Sequence, residues 1–184
     1  MIKVFYHNYY NGENFVDQDE ALYSIKDNKY SIFKEVQAQH RINNKFEFIL
    51  YYPQLKPQYN HWRQTNSPHI EGDVKGKTKA VGYEPVKIDW EYYSWGGLCR
   101  NTFSNTNFID GTLGGAGWFY ALGKFDVETG WDKTTFPGPN VGLKEVFLWM
   151  RVKDYMKYDI ITCYIKVLSS FSNQVFIIFL LISL

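Results

Sequence analysis

Cysteine is nearly absent: Cys99 and Cys163 are the only two in 184 residues. Two thiols make no disulfide framework, and neither lies in a C-x-x-C pair, so structural zinc and dithiol redox chemistry have no motif here. Excess charge of either sign is lacking as well, with 20 Lys and Arg against 19 Asp and Glu. With no basic run to neutralise phosphates, the chain carries no nucleic-acid footprint. The four histidines, His7, His40, His61 and His69, form no H-E-x-x-H motif and no i, i+4 pair, and no G-x-S-x-G elbow is present. "DQDE" (17–20) fails as a calcium loop because Leu22 stands where the turn needs glycine. No metal and no cofactor are therefore expected. "MIKVFYHNYYNGENF" contains no apolar h-region, so no N-terminal signal peptide is visible, and no N-x-S/T sequon supports secretion.

What the chain has in plenty is aromatic side chains: 15 Tyr, 14 Phe and 6 Trp, 19% of all residues. These favour strands and bury a large area each. Alternation is clearest in "PVKIDWEYY", with Val86, Ile88, Trp90 and Tyr92 on one face and Lys87, Asp89, Glu91 and Tyr93 on the other. "KFEFILYY" sets Phe46, Phe48, Leu50 and Tyr52 against Lys45, Glu47, Ile49 and Tyr51, and Pro53 stops it. "VFLWMRV" (146–152) is apolar on both faces, as in a central strand or one packed beneath a second layer. "IKVFYH", "HWRQT" and "GWFYALGKF" are shorter strand candidates. Only "SIFKEVQAQHRI" (31–42) suggests a helix, capped by Ser31 and striped by Ile32, Val36 and Ile42. The turn-rich stretches between these elements predict an all-β fold, a single β-sandwich or jelly-roll-like domain over residues 1–153 with at most one short helix.

A hydrophobic C-terminal tail over residues 154–184 breaks this pattern. Beyond Lys166 no residue is charged, and the chain ends "VLSSFSNQVFIIFLLISL". Ser169, Ser170, Ser172, Asn173 and Gln174 interrupt the apolar run, leaving it short of the roughly 20 residues that cross a bilayer. Membrane association through residues 167–184, a lipid-anchor signal and a chain end foreign to the domain are the readings open to it.

Three patterns invite a chemical reading, each with a plainer alternative. "GDVKGKT" (72–78) is one residue short of a phosphate loop and neither follows an apolar strand nor opens a helix, which leaves a solvated Lys/Gly loop. Asp89 and Glu91, two residues apart on a strand, would sit about 6.6 Å apart, within the range of paired carboxylates in glycoside hydrolysis. An ordinary charged outer face gives the same spacing. Cys99, in "YYSWGGLCRN", has no neighbouring histidine and reads as a small buried hydrophobe beside a corner that Gly96 and Gly97 permit.

Loop aromatics beside polar groups remain. Trp62, Trp95, Trp118 and Trp131 stand in or near loop-rich segments with Arg63, Arg100, Asn101, Asp110 and Asp132 close by in sequence. Sugar rings stack on aromatic faces while polar neighbours bind hydroxyls, whereas core or corner packing is the plainer fate of such tryptophans. The order "YNHWRQTNSP" (59–68), "GYEPVKIDW" (82–90), "WGGLCRN" (95–101), "FIDGTLGGAGWFYALG" (108–123), "FPGPN" (136–140) and "VFLWMRV" (146–152) resembles a β-rich module of large, uncharacterised protist proteins. The motifs are N-x-W-[RK]-Q-T, W-G-G-L, D-G and W-[FY]-Y-A-[IL]-G. The resemblance covers residues 2–152 and implies a β-sandwich interaction module of undefined ligand, with no catalytic residues to carry over. Cysteine at position 99 departs from the small residue that the module has there.

The function expected from sequence is a non-enzymatic binding module for a glycan or a protein partner, with Trp62, Arg63, Trp95, Arg100, Asn101, Asp110 and Trp118 as the ligand-binding residues. The alternatives are a glycan-degrading enzyme using Asp89 and Glu91, and a structural domain held to a membrane by its tail.

Overall fold

The protein is described by a computed structural model, which covers residues 1–8, 29–68, 79–91, 95–100, 109–111, 119–123 and 136–153. The strands are β1 (Ile2–Asn8), β2 (Lys29–Ser31), β3 (Phe46–Tyr51), β4 (Asn60–Gln64), β5 (Glu84–Ile88), β6 (Cys99–Arg100), β7 (Ile109–Asp110), β8 (Phe136–Pro137), β9 (Gly142–Leu143) and β10 (Glu145–Met150). Six of them form one antiparallel sheet in the order β2-β1-β10-β3-β4-β5. The fold is all-β, as the aromatic content and the alternating runs imply.

The alternation of β3 decides which face is core. Phe46, Phe48, Leu50 and the following Tyr52 are all buried to 1% exposure or less. On the central strand β10, Leu148 and Met150, which pair with Leu50 and Phe48, and Val146 on the same face are wholly buried too. Asn43 and Asn44 lead into β3 with φ of 52° and 63°, and Ile42 and Lys45 exchange both backbone hydrogen bonds across them. Asparagine tolerates this left-handed backbone, so the pair makes a two-residue hairpin turn.

That turn, and burial just before it, overrule the helix expected over 31–42. Ser31 ends β2, and two separate 3-10 turns follow, Phe33–Glu35 and Ala38–His40. Ile32, Phe33 and Val36 are each at most 3% exposed. Val36 is extended (φ −80°, ψ 99°), which breaks any continuous helix. Ser31 Oγ accepts from the Phe33 amide at 3.4 Å and caps no helix.

The edges also depart from the simple pattern. In β5 the expected inward residue Val86 is 44% exposed, because the ladder to β4 shifts register between His61 and Trp62. A bulge turns side chains out of phase, and Pro85 is tolerated here because the strand lies at the sheet edge. The strand then stops at Ile88, and Trp90 re-enters the core at 8% exposure. The other edge, β2, is only three residues long. Short or bulged edges limit pairing with other chains.

Two buried amides on β4 tie loops onto the inward face. Asn60 Oδ1 accepts from the amides of Asp89 (3.1 Å) and Trp90 (2.9 Å), and its Nδ2 donates to Trp90 O at 2.9 Å. Gln64 Oε1 accepts from Trp62 Nε1 at 2.8 Å and the Leu98 amide at 3.1 Å, while Nε2 donates to Asn66 O and Leu98 O at 2.7 and 2.9 Å. Gly97, at φ +96°, makes this approach feasible, since a Cβ there would meet Gln64 Oε1 at 2.7 Å and Trp62 Nε1 at 3.1 Å. The corner that sequence assigns to "WGGLCRN" is therefore real, and it closes over Gln64.

Above it, Trp62 meets Trp95 edge-on at 4.9 Å, and Trp95 meets Tyr120 at 4.9 Å. β6 pairs with β7, and Leu122 bridges to Ile109. Substituting Gln64 with leucine leaves two buried donors, Trp62 Nε1 and the Leu98 amide, without acceptors. Each such group costs about 1–3 kcal/mol. Gln64→Leu is expected to lower stability by about 3 kcal/mol or more in urea unfolding; a loss under about 1 kcal/mol would show that packing alone holds the corner.

Candidate functional site

Of the residues singled out in sequence, folding brings Trp62 and Trp95 together and sends Arg63 to the other face of the sheet. Trp62 is fully buried and Trp95 is 5% exposed, so both rings are spent on each other and on Phe48 and Tyr120. Arg63 follows Trp62 on β4 and so points to the opposite face of the sheet. Arg100 is half-buried on β6, and Asp110, 8% exposed, pairs across β6 and β7 with Cys99, a buried residue in no disulfide. Asn101, Trp118, Trp131 and Asp132 lie outside the described residues, as do "DQDE", "GDVKGKT", His69, Cys163 and residues 154–184.

Asp89 and Glu91 do not share a strand face, because β5 has ended. The Asp89 carboxylate accepts from Lys87 Nζ and the Tyr59 amide, both at 2.8 Å. The Lys87 hydrogen bond, followed by the Tyr59 amide, holds its pKa below the usual aspartate range. A general acid needs the opposite shift. Glu91 is exposed. Among the described residues no group of three or more His, Cys, Asp and Glu side chains converges as a metal site, and no helix is long and apolar enough to cross a membrane.

The side chains that do converge lie on the outward face, where the antiparallel register lines them up in rows. One row runs Tyr30, Tyr6, Phe147, Tyr51 across β2, β1, β10 and β3. The next runs Lys3, Trp149, Ile49, His61, Lys87, and a third sets Glu47 beside Arg63 and Glu84. Arg151 joins the third row, its amide donating to Glu47 O at 2.8 Å. The face thus has an aromatic end and a charged end.

At the charged end, Glu47 is the hub. Its side chain is 6% exposed and receives His61 Nε2 and Arg63 Nε at 2.9 Å each, with Arg151 Nη1 farther off at 3.4 Å. Arg63 also reaches Glu84 at 2.7 Å, which Lys45 holds from the other side at 2.9 Å. Burial pushes the Glu47 carboxyl up, but hydrogen bonds from Arg63 and His61 and the nearby Arg151 charge outweigh it, so its pKa lies below the ordinary value.

At the aromatic end, Tyr6, Tyr51, Phe147 and Trp149 are half-buried. Phe147 lies 4.7 Å from Tyr6 and 6.2 Å from Tyr51, and it runs nearly parallel to Trp149 (15°, centroids 6.2 Å). Lys3 Nζ sits 5.1 to 6.0 Å from the ring centroids of Tyr6, Phe147, Tyr30 and Trp149. Sequence reasoning passed over this cluster. "VFLWMRV" held the signal in its odd positions, Phe147, Trp149 and Arg151, but only the neighbouring strands show which face they share.

The fold and this surface define an all-β domain whose antiparallel sheet carries a core on one face and an aromatic and charged field on the other. Comparison with protein families, with curated proteins and with solved structures finds no match for this chain. The resemblance to the protist module stands on its motifs alone.

The Glu47 hub carries a signed pH dependence. A lowered folded-state pKa means that the unfolded chain binds the proton first, so the stabilisation is full above the ordinary glutamate pKa and is lost as pH falls through the folded one. Glu47→Gln should therefore be less stable than wild type at neutral pH, with the gap closing as urea midpoints are followed into acid. A gap independent of pH would assign the loss to packing.

Proposed function

We propose that this domain is a non-enzymatic binding module for carbohydrate, and that it takes its ligand on the outward face of the sheet. The observation that carries this reading is the row of half-buried rings, Tyr6, Phe147 and Tyr51, with Trp149 parallel to Phe147 in the adjacent row. Pyranose C–H faces stack on such rings, and several rings in a row across neighbouring strands suit successive sugar units. Trp149 Nε1 makes no hydrogen bond to any described residue, which leaves a donor for a hydroxyl at the stacking surface. A protein partner fits less well, because tight protein interfaces centre on anchors in desolvated pockets, whereas these rings spread over several strands.

This reading sets the binding surface on the sheet rather than in the loops that sequence suggests, because the Trp62 and Trp95 rings are buried, and it keeps the same ligand class. Because the outward rings add little to the core, Phe147→Ala and Trp149→Ala are each expected to weaken glycan binding about tenfold, near 1.4 kcal/mol, in calorimetric titration. Their thermal midpoints should change little. Trp62→Ala should instead unfold the domain, since removing a buried tryptophan costs about 3–5 kcal/mol. Outward-face variants that bind glycans as wild type does would refute the assignment.

A further inference from the structure

Two cations share the outward face with Trp149: Lys3, whose ammonium lies 6.0 Å from the ring centroid, and Arg151, whose ion pair with Glu47 is longer than those of His61 and Arg63. Lys3 stands opposite Trp149 in the β1–β10 register, and its ammonium faces four rings with no ion pair to any described residue. Arg151 is two residues beyond Trp149 on the same face of the chain, with its side chain 53% exposed. Among the described residues its carboxylate partner is Glu47, whose two oxygens lie 3.4 Å from Arg151 Nη1, while His61 and Arg63 hold the same group by shorter bonds of 2.9 Å. The other cations of the face are spent: Arg63 on Glu47 and Glu84, Lys45 on Glu84, Lys87 on Asp89.

We propose that the ligand is an acidic glycan, a chain of uronic acid units, with a sugar ring on Trp149 and its carboxylate held by Arg151 and Lys3. This rests on the carbohydrate reading above and names its ligand class. The chemistry follows from the donors. A guanidinium gives a carboxylate two parallel N–H donors, a charge-assisted contact roughly twice as strong as a neutral one. A Lys3 ammonium over aromatic rings keeps its charge close to the stacking surface. A neutral sugar would use the rings and leave both cations idle.

The test compares one sugar backbone with and without its charge. Full-length protein is titrated calorimetrically with oligogalacturonate, with the same oligomer as its methyl ester, with poly-glutamate, and with neutral cello- and chito-oligomers. The proposal expects oligogalacturonate to bind about tenfold more tightly than its ester. Arg151→Ala should abolish that preference while leaving the weaker ester binding, and Arg151→Lys should restore only part of it. Equal binding of acid and ester, or binding of neutral oligomers alone, overturns the acidic ligand and leaves the carbohydrate reading standing. Poly-glutamate bound as tightly as the uronate shows plain charge attraction and overturns the proposal. If no glycan binds, both readings fail together.

Discussion

Two side-chain amides on one five-residue strand hold the rest of this molecule in place. Asn60 and Gln64 are wholly buried, and each hydrogen-bonds the backbone of a segment far away in sequence, Asn60 at Asp89 and Trp90 and Gln64 at Leu98. A buried amide is tolerated only when its polar atoms find partners. All four hydrogen-bonding capacities of Gln64 are met. The loops thus receive from two side chains the pairing that a neighbouring strand would otherwise supply. Trp62, between the two amides, fills the space they enclose and passes contact on to Trp95 and Tyr120.

The same strand sends its alternate residues the other way, so anchoring on the inside and charge on the outside come from one pentapeptide. His61 and Arg63 converge on Glu47, which joins β3 to β4, while Arg63 and Lys45 hold Glu84 at the edge strand. This leaves Arg151, just past the end of the central strand, with the longest of the contacts to Glu47, at 3.4 Å against 2.9 Å for His61 and Arg63. Its availability beside Trp149 follows from the ion pairs of its neighbours.

Much of the fold is legible in the sequence where burial and local preference agree. β3 reads correctly because alternate positions are apolar and the sheet uses that period, and β10, apolar on both faces in sequence, is a central strand. The corner at Gly97 reads correctly because a positive φ there calls for glycine. The helix over 31–42 fails although Ile32, Phe33 and Val36 would share one helical face: Val36 is extended, and the stretch divides into two separate 3-10 turns. Val86 fails because a register shift at the sheet edge is a property of two strands and has no signature in one. N-x-W-R-Q-T is visible as a motif, yet whether its tryptophan meets solvent or core cannot be read from spacing.

What the sequence by itself determined is the all-β class and the inward face of β3, because period-two alternation is a local property that survives any arrangement of neighbours. What only the tertiary structure decided is which aromatics remain at the surface. Phe147 and Trp149 stand outside and Trp62 and Trp95 inside, though all four sit among similar residues in sequence. That choice rests on strand order and register, through which side chains from four strands meet in a row, and no single strand encodes its neighbours.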